Sequence, residues 1–231
     1  MSEKPTALVI GTSRGLGWGL SREYLRRGWN VVATLRSGSG QTALHELKDS
    51  SDALEIEYVD ITKPVEVDEL CARCGNRSFD LLFVNAGVTN DPQEKIGEVS
   101  TEEFVRVMVT NALSPMRVVE RMVRYVRPDG MVAVMSSELG SIADNTTGGW
   151  EVYRGSKAAL NTLMRCLVAR RAGDSRTFYV VAPGWVRTDM GGPEALLDIE
   201  TSIPGVVDAL ESRRGTHGLV FVNYCNEILP W

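Results

Sequence analysis

Histidine occurs only twice and cysteine only four times in the 231 residues, and neither forms a metal-binding pattern. His45 and His217 stand alone, and the Cys71 and Cys74 of "CARC" have no second pair to complete a four-ligand site. With Cys166 and Cys225 they are expected to be reduced, incidental thiols. An excess of basic residues is also missing. The net charge of −5 gives no electrostatic footprint for nucleic acid or an anionic membrane, so any anion site must be local. No apolar run is long enough to span a bilayer, and the opening "MSEKPTALVIG" is too short in apolar residues for a secretion signal. A cytoplasmic protein without nucleic-acid or membrane partners is expected. Linkers and internal repeats are lacking too, which assigns residues 1–231 to one domain, and a hydrophobic content of 43% suffices for its core.

What is present is alternation. Apolar runs at "TALVIG", "NVVATLR", "LEIEYVD", "DLLFVN", "GMVAVMSS", "RTFYVVAP" and "GLVFVN" read as strands. Helical patterns fall between them near 15–28, 41–49, 64–74, 101–127, 151–172 and 201–213. Near-continuous apolar strands alternating with helices predict an α/β fold, a Rossmann-like doubly wound parallel sheet of about seven strands with helices on both faces. Ligands of such sheets lie beyond the carboxyl ends of the strands. The residues there are Gly11, Arg36, Asp60, Asn85, Ser137 and Pro183.

The first strand runs into "GTSRGLGWGL", with glycines at 11, 15 and 17. Glycine permits a tight turn and lets free N–H groups at a helix start approach a diphosphate. A glycine-rich turn alone has many uses, but one placed between a first strand and its helix points to a nucleotide. Farther on, the helical spacing puts Tyr153 and Lys157 one turn apart on one face. Such a pair alone is more often a solvated helix edge.

The G-x-x-x-G-x-G spacing, Asn85-Ala86-Gly87, Asn111 in "VTNALSP", the Y-x-x-x-K of Tyr153 to Lys157 and "PGWVRTDM" from Pro183 to Met190 occur in one order along the chain. In this order they resemble the short-chain dehydrogenase/reductase family. The stretches "MSSELGSIADNTTGGWEVYRGSK", "PGWVRTDMGG" and "ILPW" are most similar to its C-factor/sniffer group of carbonyl reductases.

That resemblance implies a nicotinamide cofactor held by Gly11, Thr12, Ser13, Arg14, Gly15, Leu16 and Gly17, with Asp60 and Ile61 at the adenine and Asn85, Ala86 and Gly87 along the ribose. Pro183, Gly184, Val186 and Thr188 would cover the nicotinamide. NAD-specific enzymes usually end the second strand with an acidic residue, whereas this chain has Arg36 there and Arg14 in the turn, so NADP(H) is expected.

The resemblance further implies that Tyr153 is the general acid/base of carbonyl reduction, with Lys157 and the oxidised nicotinamide favouring its phenolate. Lys157 would also reach the nicotinamide ribose. Asn111 would sustain a helix distortion and a proton-leading water, and Ser137 would hold the substrate oxygen. Ser141 lies nearer the usual distance from Tyr153, but Ser137 is the second serine of the strand-end pair, and "ADNTTGGW" reads as a loop insertion.

A short substrate loop is expected near 191–202, with Trp150 and Trp185 as candidate walls for a small carbonyl or alcohol substrate. Apolar positions at Phe104, Val107, Met108 and Ala112 fit either the core or another subunit, and the resemblance implies a homodimer or homotetramer. An NADP(H)-binding signalling or sensor protein with little turnover is the alternative function.

Overall fold

The computed structural model describes residues 4–231; Met1–Glu3, the first residues of the domain assigned from sequence, lie outside it. Strands β1 (Thr6–Ile10), β2 (Asn30–Leu35), β3 (Leu54–Tyr58), β4 (Phe79–Val84), β5 (Val126–Met135), β6 (Thr177–Ala182) and β7 (Gly218–Asn223) form one parallel sheet. Their order is β3-β2-β1-β4-β5-β6-β7. The chain therefore moves outward from β1 to β3, then crosses back to place β4 on the other side of β1. A crevice opens where the direction reverses.

The helices are α1 (Gly15–Arg26), α2 (Ala43–Asp49), α3 (Pro64–Cys74), α4 (Thr101–Met108), α5 (Ser114–Met122), α6 (Glu151–Arg170) and α7 (Ile199–Ser212). Successive strand residues point to opposite faces. Thus Leu8 and Ile10 pack with α3, α5 and α6, while Ala7 and Val9 pack with α1, α2 and α7. Both faces are dry, which is why the strands read as continuous apolar runs.

The termini of several elements follow local chemistry. Pro64 opens α3, Ser100 Oγ accepts from the Glu103 amide at the start of α4, and Asp198 caps α7 by accepting from the Thr201 amide at 2.8 Å.

The expected helix over 101–127 needs correction. It is α4 and α5 joined by a wide π turn at Val109–Leu113, followed by a 3₁₀ turn ending at Tyr125, and β5 begins at Val126. Pro128 has no N–H to continue a helix. Instead, Val126 pairs with Phe79 and the ladder resumes at Met131 opposite Leu81 after an irregularity. The 201–213 helix also starts two residues early, at Ile199.

Candidate active site

The crevice beyond the carboxyl ends of the strands has a volume of about 660 Å³. At its centre is the glycine turn. Gly11 has φ +86°, and a Cβ there would stand 2.8 Å from the Ala86 Cβ. A Cβ on Gly17 would overlap the Gly11 carbonyl oxygen, which already accepts from Asn85 Nδ2 at 2.8 Å. The turn, α1 and the end of β4 thus approach to distances that only glycine permits.

Thr34 fixes the turn from the other side. Its Oγ accepts from the Gly11 amide at 3.0 Å, and its carbonyl accepts from both the amide and the hydroxyl of Thr12. At the start of α1, Arg14 makes no capping side-chain bond and the first turn holds no acidic residue. Its first N–H groups therefore suit an anion.

Gly11 to Leu16, Arg36, Asp60, Ile61, Asn85 to Gly87, Tyr153, Lys157, Pro183 and Thr188 all line the crevice. Asp60 accepts from the amide and hydroxyl of Thr62 at 2.9 and 2.7 Å. Burial raises its pKa, but these bonds and the charges of Lys63 and Arg36 bring it below the ordinary value. A smaller recess of about 280 Å³ adjoins Arg36, Ser37, Ser39 and Lys63.

Gly17, Gly184 and Val186 do not line the main crevice and act from behind it. Gly184, at φ +77°, lies against Leu197 and Tyr224, and Val186 bridges to Leu197. Asn111 is also behind the wall. Its side chain accepts from the Val88 amide at 2.8 Å and donates to the Val88 carbonyl and Ser156 Oγ at 2.7 and 2.9 Å. The π turn carries it.

Tyr153 and Lys157 are both buried on α6. Lys157 Nζ donates to the Met135 carbonyl at 2.8 Å and stands 5.6 Å from the centre of the Tyr153 ring. An ammonium has three donors, so two remain to serve a polyol. A Cβ on Gly87 would come within 3.5 Å of this Nζ, leaving little room for a side chain.

The expected lowering of the Tyr153 pKa by Lys157 is not found among these side chains. Burial pushes the phenol up to about 12, and a hydrogen bond with Ser137 only partly opposes it. Burial likewise pushes Lys157 down to about 8. Removing water from a phenolate outweighs what opposes it here, so the phenol keeps its proton at pH 7.

The serines separate clearly. Ser137 Oγ accepts from the Leu139 amide at 3.1 Å and does not line the crevice, Ser136 lines it and its Oγ donates to Asn161 Oδ1 at 2.7 Å, and Ser141 Oγ accepts from the Asp144 amide within its own loop. Neither candidate tryptophan lines the crevice. Trp150 lies edge-on to Tyr153, with ring centres 5.8 Å apart. Trp185 donates to the Gly191 carbonyl at 2.8 Å. The 191–202 loop is shorter than expected because α7 takes its last four residues, and Arg187 ties it back to the Ala195 carbonyl.

Sequence reading missed Thr34, Thr62, Ser136, Asn161, Arg106 and Asp189. A hydroxyl inside the apolar run "NVVATLR" is the available signal for Thr34, and an Asn one turn beyond Lys157 is that for Asn161. Arg106 carries no such mark, and Asp189 falls inside "PGWVRTDM" with no role of its own assigned there.

Residues 5–195 match the short chain dehydrogenase family. Among curated proteins, the C-signal of Myxococcus xanthus is 36% identical over 154 residues, covering 66% of this chain and 92% of that protein. A short-chain dehydrogenase/reductase from Burkholderia multivorans, solved with bound NADP, is 52% identical over 99% of this chain and 100% of that one, with a TM-score of 0.97. A carbonyl reductase from Pseudomonas aeruginosa PAO1 in complex with NADP is 34% identical, with 99% and 100% coverage and a TM-score of 0.91. The chain belongs to the short-chain dehydrogenase/reductase family of oxidoreductases.

Proposed function

We propose that the protein is an NADPH-dependent reductase that converts a ketone or aldehyde to an alcohol. The single observation that carries this reading is Tyr153, a buried phenol lining the crevice one helical turn from buried Lys157, whose Nζ stands 5.6 Å from its ring. The residues present fit the cofactor. The glycine turn and the uncapped start of α1 suit its diphosphate, Arg14 and Arg36 its 2′-phosphate, Asp60 and Ile61 its adenine, and Lys157 its nicotinamide ribose. When bound, it supplies or accepts the hydride.

In reduction, charge develops on the substrate oxygen. Ser137 donates a hydrogen bond to it and Tyr153 donates the proton, a role worth roughly 10²–10⁴ in rate. Burial suits this direction because it keeps the proton on Tyr153. In oxidation the phenolate must form first. Asn111 holds the Val88 backbone and Ser156, and thereby the floor beneath Lys157. Exposed Phe104, Val105, Leu113 and Leu163 support a homodimer or homotetramer in which these helix faces meet another copy.

The test is NADPH oxidation against aldehydes, ketones, quinones and diketones. Tyr153→Phe is expected to lose at least about 100-fold in kcat while retaining NADPH binding. NADPH binding with no carbonyl turnover in the natural protein would instead favour a signalling or sensing role.

A further inference from the structure

Two carboxylates line the crevice, Asp60 and Asp189, among the cations Arg14, Arg36, Arg106 and Lys157. Asp60 is held by Thr62, as described. Asp189 is different: its Oδ2 lies 3.1 Å from Arg14 Nη1, and both side chains are more than 70% exposed. The contact spans the crevice, from the glycine turn to the segment after β6. Beside it, a Cβ on Gly15 would stand 3.5 Å from Thr188, so the two walls are close at this point.

A carboxylate is an unexpected lining for an anion site. It repels phosphate and, when paired, occupies the guanidinium that phosphate needs. Exposure keeps the Arg14–Asp189 pair weak and exchangeable. Arg14 also stands at the free N–H groups of α1, where a phosphate is favoured.

We infer that Asp189 is an affinity-setting residue: it is the internal counter-ion of Arg14, and a cofactor phosphate must displace it. The inference rests on the NADP(H) reading above. Binding exchanges one ion pair for another, so the carboxylate limits cofactor affinity and hastens release. Asp189→Asn keeps the shape of the side chain and removes the competition. Its cofactor complex should be tighter, chiefly through slower dissociation.

The experiment is calorimetric titration of the whole protein with NADPH and NADH, together with displacement kinetics of bound NADPH. Asp189→Asn should tighten NADPH about two- to five-fold, the span available to an exposed pair, and Asp189→Glu should behave as the natural protein. Arg14→Ala should weaken NADPH about ten-fold. If Asp189→Asn binds NADPH equally or more weakly, or Arg14→Ala binds it normally, the counter-ion role is overturned. If the natural protein binds neither nucleotide, the cofactor reading itself falls and takes this inference with it. A comparison of NADPH with NADH identifies the phosphate: equal tightening points to the diphosphate, and tightening confined to NADPH to the 2′-phosphate.

Discussion

Around Gly11 and Gly17 the chain is held by contacts between backbones, whereas residues 142–149 and Pro193, Glu194 and Leu196 are exposed. The first region positions groups that a cofactor meets identically in every turnover. Rigidity there fixes binding geometry. The second is exposed, and its side chains can change without disturbing sheet or turn. The cofactor is thus met by the packed part, and the exposed loops stand outside it.

The sharpest way to break this contrast is to add one methyl group to the packed part. Gly17→Ala gains up to about 1 kcal/mol in helix propensity, but its Cβ overlaps a carbonyl oxygen that cannot move independently. A net loss of ~3 kcal/mol or more in urea unfolding, with loss of NADPH binding, is expected. Normal stability would show the turn to be pliant.

A smaller effect of opposite sign is expected from Lys157→Met. Burial holds the Lys157 pKa at about 8, below its ordinary 10.5, so the folded protein binds fewer protons than the unfolded chain between these values. Stability should rise with pH from 8 to 10.5 in the natural protein relative to the variant. At pH 7 the variant should be more stable by at most ~3 kcal/mol, and inactive. Parallel pH profiles in urea unfolding would show that this lysine carries no such cost.

The smallest effect should be found on the rim. Trp185→Phe removes the hydrogen bond to Gly191 from an exposed ring, costing about 0.5–1 kcal/mol. NADPH affinity should stay unchanged. A large change would bring Trp185 into the cofactor site.

Sequence made the fold legible where physics is periodic or backbone-limited. The "GLVFVN" strand and the glycine turn fall where they were read because apolar continuity and absent side chains are local properties. The π turn was legible only as the helix distortion that the resemblance implied at Asn111; periodicity did not show it, since its apolar residues look helical on either side. Tyr153 and Lys157 were legible as a pair, yet the direction of the tyrosine's shift depends on how much protein surrounds it. Burial of that kind is not written in the spacing Y-x-x-x-K. Trp150 and Trp185 were named for bulk, but bulk does not specify direction: one ring meets Tyr153 and the other turns to Gly191. Asp189 was hidden for the same reason, because its partner is 175 positions away in sequence.

The π turn between α4 and α5 also limits how this chain can shorten. It holds one residue more than a regular helix would use over the same rise. Deleting that residue would restore regular winding and leave both flanks in phase, so that Val107 on one side and Met116, Val118 and Val119 on the other would keep their common orientation toward the core. The change would fall on Asn111, whose side chain would lose its place between Val88 and Ser156. An insertion in a surface loop can be lost again without trace; here the extra residue can be lost from the fold but not from the site.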